Sequence, residues 1–280
     1  MAALVAPAVT AAALSLGAVT AAGQPPVPAV RPPVTLATLS WPPYTGASLP
    51  RGGAVTDVVR AAFDAMGREV TVKFRPWNRS VALAKAGHNR VAGYYPGYHC
   101  DHDPEAGFLR SYSIGMRSLG LAKRANAAFG WETLSDLEGF RVGTVVGYAN
   151  TQRFDRKVAA EELWTIESPS DRRNLRKLIA GRLDYAVIDK HVMRYMLRTD
   201  PALRKHRGSV TMDDKLLGRM PLFVCFRNNP HGEALQAAFN EGLSRVHPKA
   251  ILSRYLRHTV PMLTVQPPCT SGDCSEVSGR

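Results

Sequence analysis

The sequence predicts an α/β fold with mainly parallel sheets, and three observations predict it. Residues 134–150, LSDLEGFRVGTVVGYAN, read as a helical turn (Leu134 to Leu137), a Gly139 stop, a strand (Phe140 to Val145), a Gly147 loop and a helix start near Asn150. Gly139 suits the left-handed residue that ends a helix, and Gly147 lets backbone approach a ligand closely. From about Ala125 to Gly218, apolar strand-like runs alternate with helical segments, the pattern of βαβ units. Val55, Val58, Val59, Ala62, Phe63 and Met66 form one apolar stripe at helical spacing.

The elements follow in order. Val34 to Ser40 is the first strand and ends in WPPYTG (41–46). Gly53 to Gly67 is the helix that carries the stripe. Glu69 to Arg75 alternates Val70, Val72 and Phe74 on one face, as a half-buried strand does. Trp77 to Ala86 is a helix behind Pro76, closed by Gly87. Val91 to Tyr95 is a short strand, and Tyr112 to Lys123 a long one. Leu163 to Ile166 is a strand, with Ser168-Pro169 as cap and first turn of a helix whose face is Leu175, Leu178 and Ile179. Gly181 ends that helix. Leu183 to Ile188 is a strand and Lys190 to Leu197 a helix. Met220 to Arg227 is the last strand. Asn229-Pro230 caps a helix in which Leu235, Ala238, Phe239, Leu243 and Val246 repeat the stripe, and Ala250 to Leu256 closes the fold.

Composition bounds the function. Hydrophobic residues are 45% and charged residues 21%, ordinary values for a globular chain of 280 residues. The formal net charge is +13, but the basic residues are scattered, with no block of five or six. No helix-turn-helix, RNP or zinc-finger pattern is present, so nucleic acid is not an expected partner. Residues 1–22 are apolar, uncharged in their side chains and end in small residues, as a cleaved signal peptide does, although no Lys or Arg lies near Met1. Residues 23–33 are a Pro-rich leader, and 259–280 a flexible tail. Export permits disulfides. Cys269 and Cys274 are close enough for a small local loop; Cys225, in an apolar run, reads as a buried thiol; Cys100 is free or paired.

The stretch 134–150 resembles the Asp-Leu-x-Gly-x-x-Val-Gly segment of family 3 extracellular solute-binding proteins. The order of elements resembles the type II periplasmic binding-protein architecture over roughly residues 34–258. The resemblance implies two lobes, 34–120 with 222–258 and 121–221, each with a mixed or parallel sheet flanked by helices. Two hinge strands, near Leu119 to Lys123 and Met220 to Phe226, would join them. A ligand would lie between the lobes at strand ends and helix N-termini.

Candidate ligand-binding residues follow. Trp41 and Tyr44 match the aromatic position of the loop after the first strand, a flat platform with a polar tip. Trp77 and Arg79 lie in PWNRS, which is similar to a Pro-Trp-x-Arg segment of some members; Arg79 could clamp a carboxylate. Tyr94 and Tyr95, with Tyr98 beyond, stand where amino-acid-binding members carry small or hydroxyl residues, which suggests an aromatic-lined pocket. The family's carboxylate-binding Arg is missing after them, and Arg79, Arg110 and Arg117 are candidates to replace it. Gly147 and Tyr148 open the second lobe's helix, whose N–H groups could face an anion. Asp189 matches the acid that holds a ligand ammonium, and could equally cap the helix it precedes. The residues His99, Cys100, Asp101, His102 and Asp103 are of metal-ligand type, but without a distant partner motif they read as a solvated loop. No metal, cofactor or catalytic residue is expected.

The implied function is capture of a small polar solute, an amino acid or relative, by a periplasmic, monomeric protein that closes by hinge motion and serves an ABC permease. An alternative is an enzyme on the same fold, similar to cyclohexadienyl or arogenate dehydratases, with Glu105, Asp189, Arg79 and Arg110 as acid and clamps. A sensor-type binding lobe is a further alternative.

Overall fold

The computed structural model describes residues 32–98, 100 and 107–259. The expected signal peptide, nearly all of the leader, the tail beyond Thr259 with Cys269 and Cys274, and Glu105 lie outside the described residues.

The chain forms nine strands and seven α-helices among these residues. They are β1 (Val34–Thr38), α1 (Ala54–Asp64), β2 (Val70–Phe74), α2 (Trp77–Ala86), β3 (Val91–Gly97), β4 (Phe108–Arg110), β5 (Gly115–Arg124) and β6 (Val142–Val145). Then come α3 (Gln152–Ala159), β7 (Thr165–Ser168), α4 (Asp171–Ile179), β8 (Tyr185–Asp189), α5 (Lys190–Thr199), β9 (Val210–Arg227), α6 (Pro230–Arg245) and α7 (Pro248–Thr259).

The strands run in the order β2-β1-β3-β9-β5-β8-β6-β7, with β4 also on β9. Two groups of similar plan result. In one, β1 lies parallel between β2 and β3, and β3 meets β9 antiparallel. In the other, β6 lies parallel between β7 and β8, and β8 meets β5 antiparallel. Each group is a strand–helix–strand–helix–strand run, as the alternation of the sequence predicts. β9 pairs first with β5, from Val210 opposite Arg124 to Leu222 opposite Gly115, and then with β3, where Phe226 faces Gly93. It therefore passes from one group into the other.

Burial explains why these segments take these forms. The stripe of α1 buries Val55, Val58, Val59, Ala62 and Phe63. α6 covers it with Leu235, Phe239 and Leu243, and a side chain at Gly242 would stand 1.9 Å from the Ala62 carbonyl oxygen, so the close approach requires glycine. Asn229 accepts the Gly232 N–H at 2.8 Å and caps α6 with Pro230 at its first position.

Three expectations are corrected. The cap of α4 is Ser170, which accepts the Arg173 N–H at 3.3 Å, because β7 continues through Ser168. β9 begins ten residues before Met220, at Val210. Its first half, with Asp213, Asp214 and Lys215, lacks an apolar signal and is held by its ladder to β5 and the Lys123–Asp213 ion pair at 2.9 Å. The long strand expected from Tyr112 starts at Gly115, and the short β4 precedes it.

Candidate functional site

The prominent polar and aromatic side chains of the site follow C-terminal ends of parallel strands. Trp41 is three residues past β1, Trp77 three past β2, Tyr148 three past β6 and Asp171 three past β7. Tyr98 directly follows β3, and Asp189 is the last residue of β8. Ligands of open α/β sheets gather at such ends because loops and helix N-termini converge there.

The turn after β1 is locked by its own hydrogen bonds. Trp41 N–H donates to the Thr45 carbonyl at 2.8 Å, and the Thr45 hydroxyl to the Leu39 carbonyl at 2.8 Å. This turn stacks Trp41 on Tyr44 with ring centroids 4.5 Å apart. The buried Tyr44 hydroxyl then donates to the two oxygens of Asp189 at 3.2 and 3.3 Å, joining the two strand groups. Burial, reinforced by the Asp189 charge, raises the Tyr44 phenol well above its ordinary pKa.

Asp189 has further partners. One oxygen accepts the N–H groups of His191 at 2.7 Å and Val192 at 3.1 Å; the other accepts Ser118 N–H at 2.8 Å. Asp189 therefore caps α5. Burial raises its pKa against the pull of His191 and these N–H groups, and burial lowers that of His191.

Two charged groups stand beside this clasp. Asp171 opens α4, is 5% exposed and lies near the Trp41 side chain. Burial, and then the neighbouring Asp189, push its pKa up to about 7 against Arg117 and the Trp41 side chain. Arg117, on β5, is 2% exposed. Its Nη1 donates to the Tyr98 hydroxyl at 3.0 Å, and its Nη2 to the Ala149 carbonyl at 2.7 Å and to Met220 Sδ at 3.2 Å. The guanidinium lies over the Tyr98 ring, 3.9 Å from its centroid. None of these partners is a carboxylate, and Nε has no protein partner among the described residues. Burial pushes the Tyr98 phenol up to about 12 and also raises that of Tyr148, where Asp171 adds to it.

Leu39, Trp41, Trp77, Pro96, Tyr98 and Tyr148 line a narrow apolar space with room for about one water. A disulfide fixes one wall. Cys100 and Cys225, with Cα atoms 5.3 Å apart, tie the residues after Tyr98 to β9. The thiol expected at Cys225 is thus a disulfide sulfur. Gly97 makes room for it, since a Cβ there would lie 2.3 Å from Cys225 Sγ.

The expected site residues divide by position. Trp41, Trp77 and Tyr148 line the space, while Tyr44 and Asp189 form the clasp. Tyr95 is buried in the core, its hydroxyl donating to Thr56 Oγ1 at 3.1 Å. Tyr94 packs edge-on against Trp77 and Phe108, at 5.5 and 5.0 Å between centroids. Gly147, at φ 75°, is exposed, and its Cβ position faces the Asn78 side chain at 2.8 Å. Of the candidate arginines, Arg79 and Arg110 are exposed and neither bonds Asp189; Arg117 alone of the three is buried at the site. At the start of α3, the N–H groups meet internal acceptors: Asp155 takes Asn150 N–H and Nδ2, both at 2.9 Å, and Thr151 takes Phe154 N–H at 3.3 Å.

Asp171 escaped the sequence reading because an acid in a first helical turn is ordinary there. Its offset from β7, the same as that of Trp41 from β1, is the signal that could have found it. Tyr98 was noted only with Tyr94 and Tyr95; strand alternation sends the latter two to opposite packed faces and leaves Tyr98 at the strand end.

No protein-family model matches the chain, and no curated protein sequence matches it. Solved structures do. The chain is similar to the GluR0 ligand-binding core from Nostoc punctiforme in complex with L-glutamate, with 18% identity over 81% of this chain and 98% of that one and a TM-score of 0.62. It is similar to a histidine kinase sensor domain with similarity to periplasmic binding proteins, with 18% identity, coverages of 82% and 96% and a TM-score of 0.65. It is also similar to AbpA, an amino acid ABC transporter substrate-binding protein from Streptococcus pneumoniae bound to L-arginine, with 12% identity, coverages of 81% and 97% and a TM-score of 0.62. These likenesses show the fold: the chain has the two-lobed architecture of type II periplasmic binding proteins, as its order of elements implies.

Proposed function

We propose that the protein captures a small polar solute, an amino acid or a related compound, between its two strand groups and delivers it to an ABC permease outside the cytoplasm. In this reading residues 34–120 with 222–258 and residues 121–221 are the moving lobes, and β5 and β9 carry the hinge. Residues 1–22 direct export. The observation that carries the reading is that Asp171 and Arg117 are both buried, neither in hydrogen-bond contact with an opposite charge among the described residues, near a space walled from both groups. Buried charges of both signs favour a ligand that brings complementary charges, because each is costly while uncompensated. Among the described residues no helix is long and apolar enough to cross a membrane.

Likeness to a histidine kinase sensor domain favours a second reading, in which the same capture reports to a signalling partner. A thermal-shift screen tests capture itself. A solute that binds only the folded form raises the midpoint with concentration. A rise with an amino acid or related zwitterion, recovered unmodified, is expected. No rise with amino acids, polyamines, organic acids or aromatic acids would overturn the reading, and product formation from a prephenate-like acid would replace it with the dehydratase.

A further inference from the structure

The basic residues that look scattered in the sequence are gathered by the fold. Side chains of β8 alternate between two apolar clusters. Ala186 and Ile188 pack in one with Leu178 of α4 and Val192 of α5. Tyr185 and Val187 pack in the other with Phe154 of α3. α4 and α5 therefore cover one side of the second strand group, and α3 the other. Residues 170–207, which hold α4, α5 and the short turn Arg204–His206, carry eleven Lys and Arg against four Asp and Glu. Residues 125–164, which hold α3 and the turn before β6, carry four against six. The positive excess of this group thus lies on one side.

The four acids of residues 170–207 do not answer the cations at the surface. Asp171 and Asp189 are buried, Asp184 pairs with Arg141 at 2.7 Å, and Asp200 pairs with Arg172. Arg173, Arg176, Arg198 and Arg204 are exposed and Arg194 is half-buried. None of these five has an ion pair or a side-chain hydrogen bond among the described residues. The helices also set like charges four residues apart, Arg172 with Arg176 and Arg173 with Lys177 on α4, and Lys190 with Arg194 and Arg194 with Arg198 on α5. No Asp or Glu stands three or four residues from any of these six. Repulsion at that spacing destabilises each helix, and counter-charge from outside the chain relieves it.

The side is broad and polar. α4 and α5, of nine and ten residues, are about 14 and 15 Å long, so the charge is spread rather than focused on one ion. A protein–protein interface has an apolar, aromatic centre that is poor in Lys. The exposed large hydrophobic residues Tyr112, Met116, Val146 and Trp164 all lie outside residues 170–207. Lys and Arg in such number on amphipathic helices are attracted by anionic lipid headgroups, and the net charge of +13 acts in the same direction. We propose that the outer side of α4, α5 and the Arg204–His206 turn docks the protein on an anionic phospholipid surface. The inference does not depend on what binds between the strand groups.

Co-sedimentation of the full chain with vesicles tests it, using phosphatidylcholine alone and phosphatidylcholine with an equal part of phosphatidylglycerol. Binding is expected only with the anionic mixture and falls steeply as salt rises. Arg173→Glu with Arg176→Glu on α4, and Arg194→Glu with Arg198→Glu on α5, should each weaken it at least about tenfold. Arg153→Glu with Arg156→Glu on α3 changes the net charge equally on the other side and should leave binding near wild type. Variants are compared where they melt cooperatively, and the lipid and salt dependence of the wild type needs no variant. An equal loss from the α3 pair would reduce the effect to net charge and overturn the assigned side. Equal binding to both vesicles, or to neither, would overturn the proposal. Binding to soluble polyglutamate without binding to anionic vesicles would overturn it in favour of an acidic protein partner.

Discussion

Asp171 lies 5% exposed beside Asp189 and Arg117, so ionising it near neutral pH sets two buried negative charges against one positive charge. Its folded pKa of about 7 is above its ordinary value of 3.8. The stability it contributes is therefore full below about pH 4 and is lost as pH rises through about 7. Asp171→Asn abolishes that loss. The difference in Tm between variant and wild type is expected to move in favour of the variant from pH 5 to pH 8; a difference that stays constant would show that Asp171 does not titrate there. Tyr44 presents a simpler case. Tyr44→Phe keeps the stacking on Trp41 and removes the donor to Asp189, which retains its three N–H partners. A cost of about 1 kcal/mol is expected, as for a typical buried hydrogen bond. Urea unfolding should show it as a lower midpoint, and an unchanged midpoint would mean the clasp is not made in solution. Arg117→Met removes the charged donor to the Tyr98 hydroxyl and the Ala149 carbonyl, and losing a hydrogen bond to a charged group costs about 1.5–3 kcal/mol. A melt close to wild type would contradict the contacts described for Arg117.

At the scale of elements, the Cys100–Cys225 bond joins a loop to the strand that links the two groups, across 125 residues. Disulfides of this kind contribute about 2–5 kcal/mol. The double variant Cys100→Ser with Cys225→Ser should lose stability in that range and weaken ligand binding through Tyr98, two residues from Cys100. Equal stability and affinity with and without reductant would contradict this. The elements also show how far the sequence could be read. The helix Trp77 to Ala86 and the turn Leu134 to Leu137 were legible to the residue, because Pro76 and Gly87 bracket one and the other is followed by Gly139. The first half of β9 was not, because its polar residues obtain their place from pairing with β5, a long-range contact with no local signal. Ser170 displaced Ser168 as cap because β7 claims Ser168, and two nearby serines differ only in tertiary context.

For the whole molecule, the two strand groups repeat one plan and place their site residues at matching offsets, Trp41 and Trp77 in one, Tyr148 and Asp171 in the other. The aromatic members of that site were largely legible, because aromatics in loops after predicted strands stand out. Its charged members were less so: three arginines were candidates, and only burial separates Arg117 from Arg79 and Arg110. A fold of this kind suits capture because a ligand touching both groups couples its binding to their closure. Calorimetric titration of the most stabilising solute into wild type, Trp77→Leu and Tyr148→Leu tests this most directly, since the two substitutions lie in different groups. The account predicts one site per chain and at least tenfold weaker binding in both variants. Binding that survives either substitution unchanged would place the ligand elsewhere and contradict a site shared by the two groups.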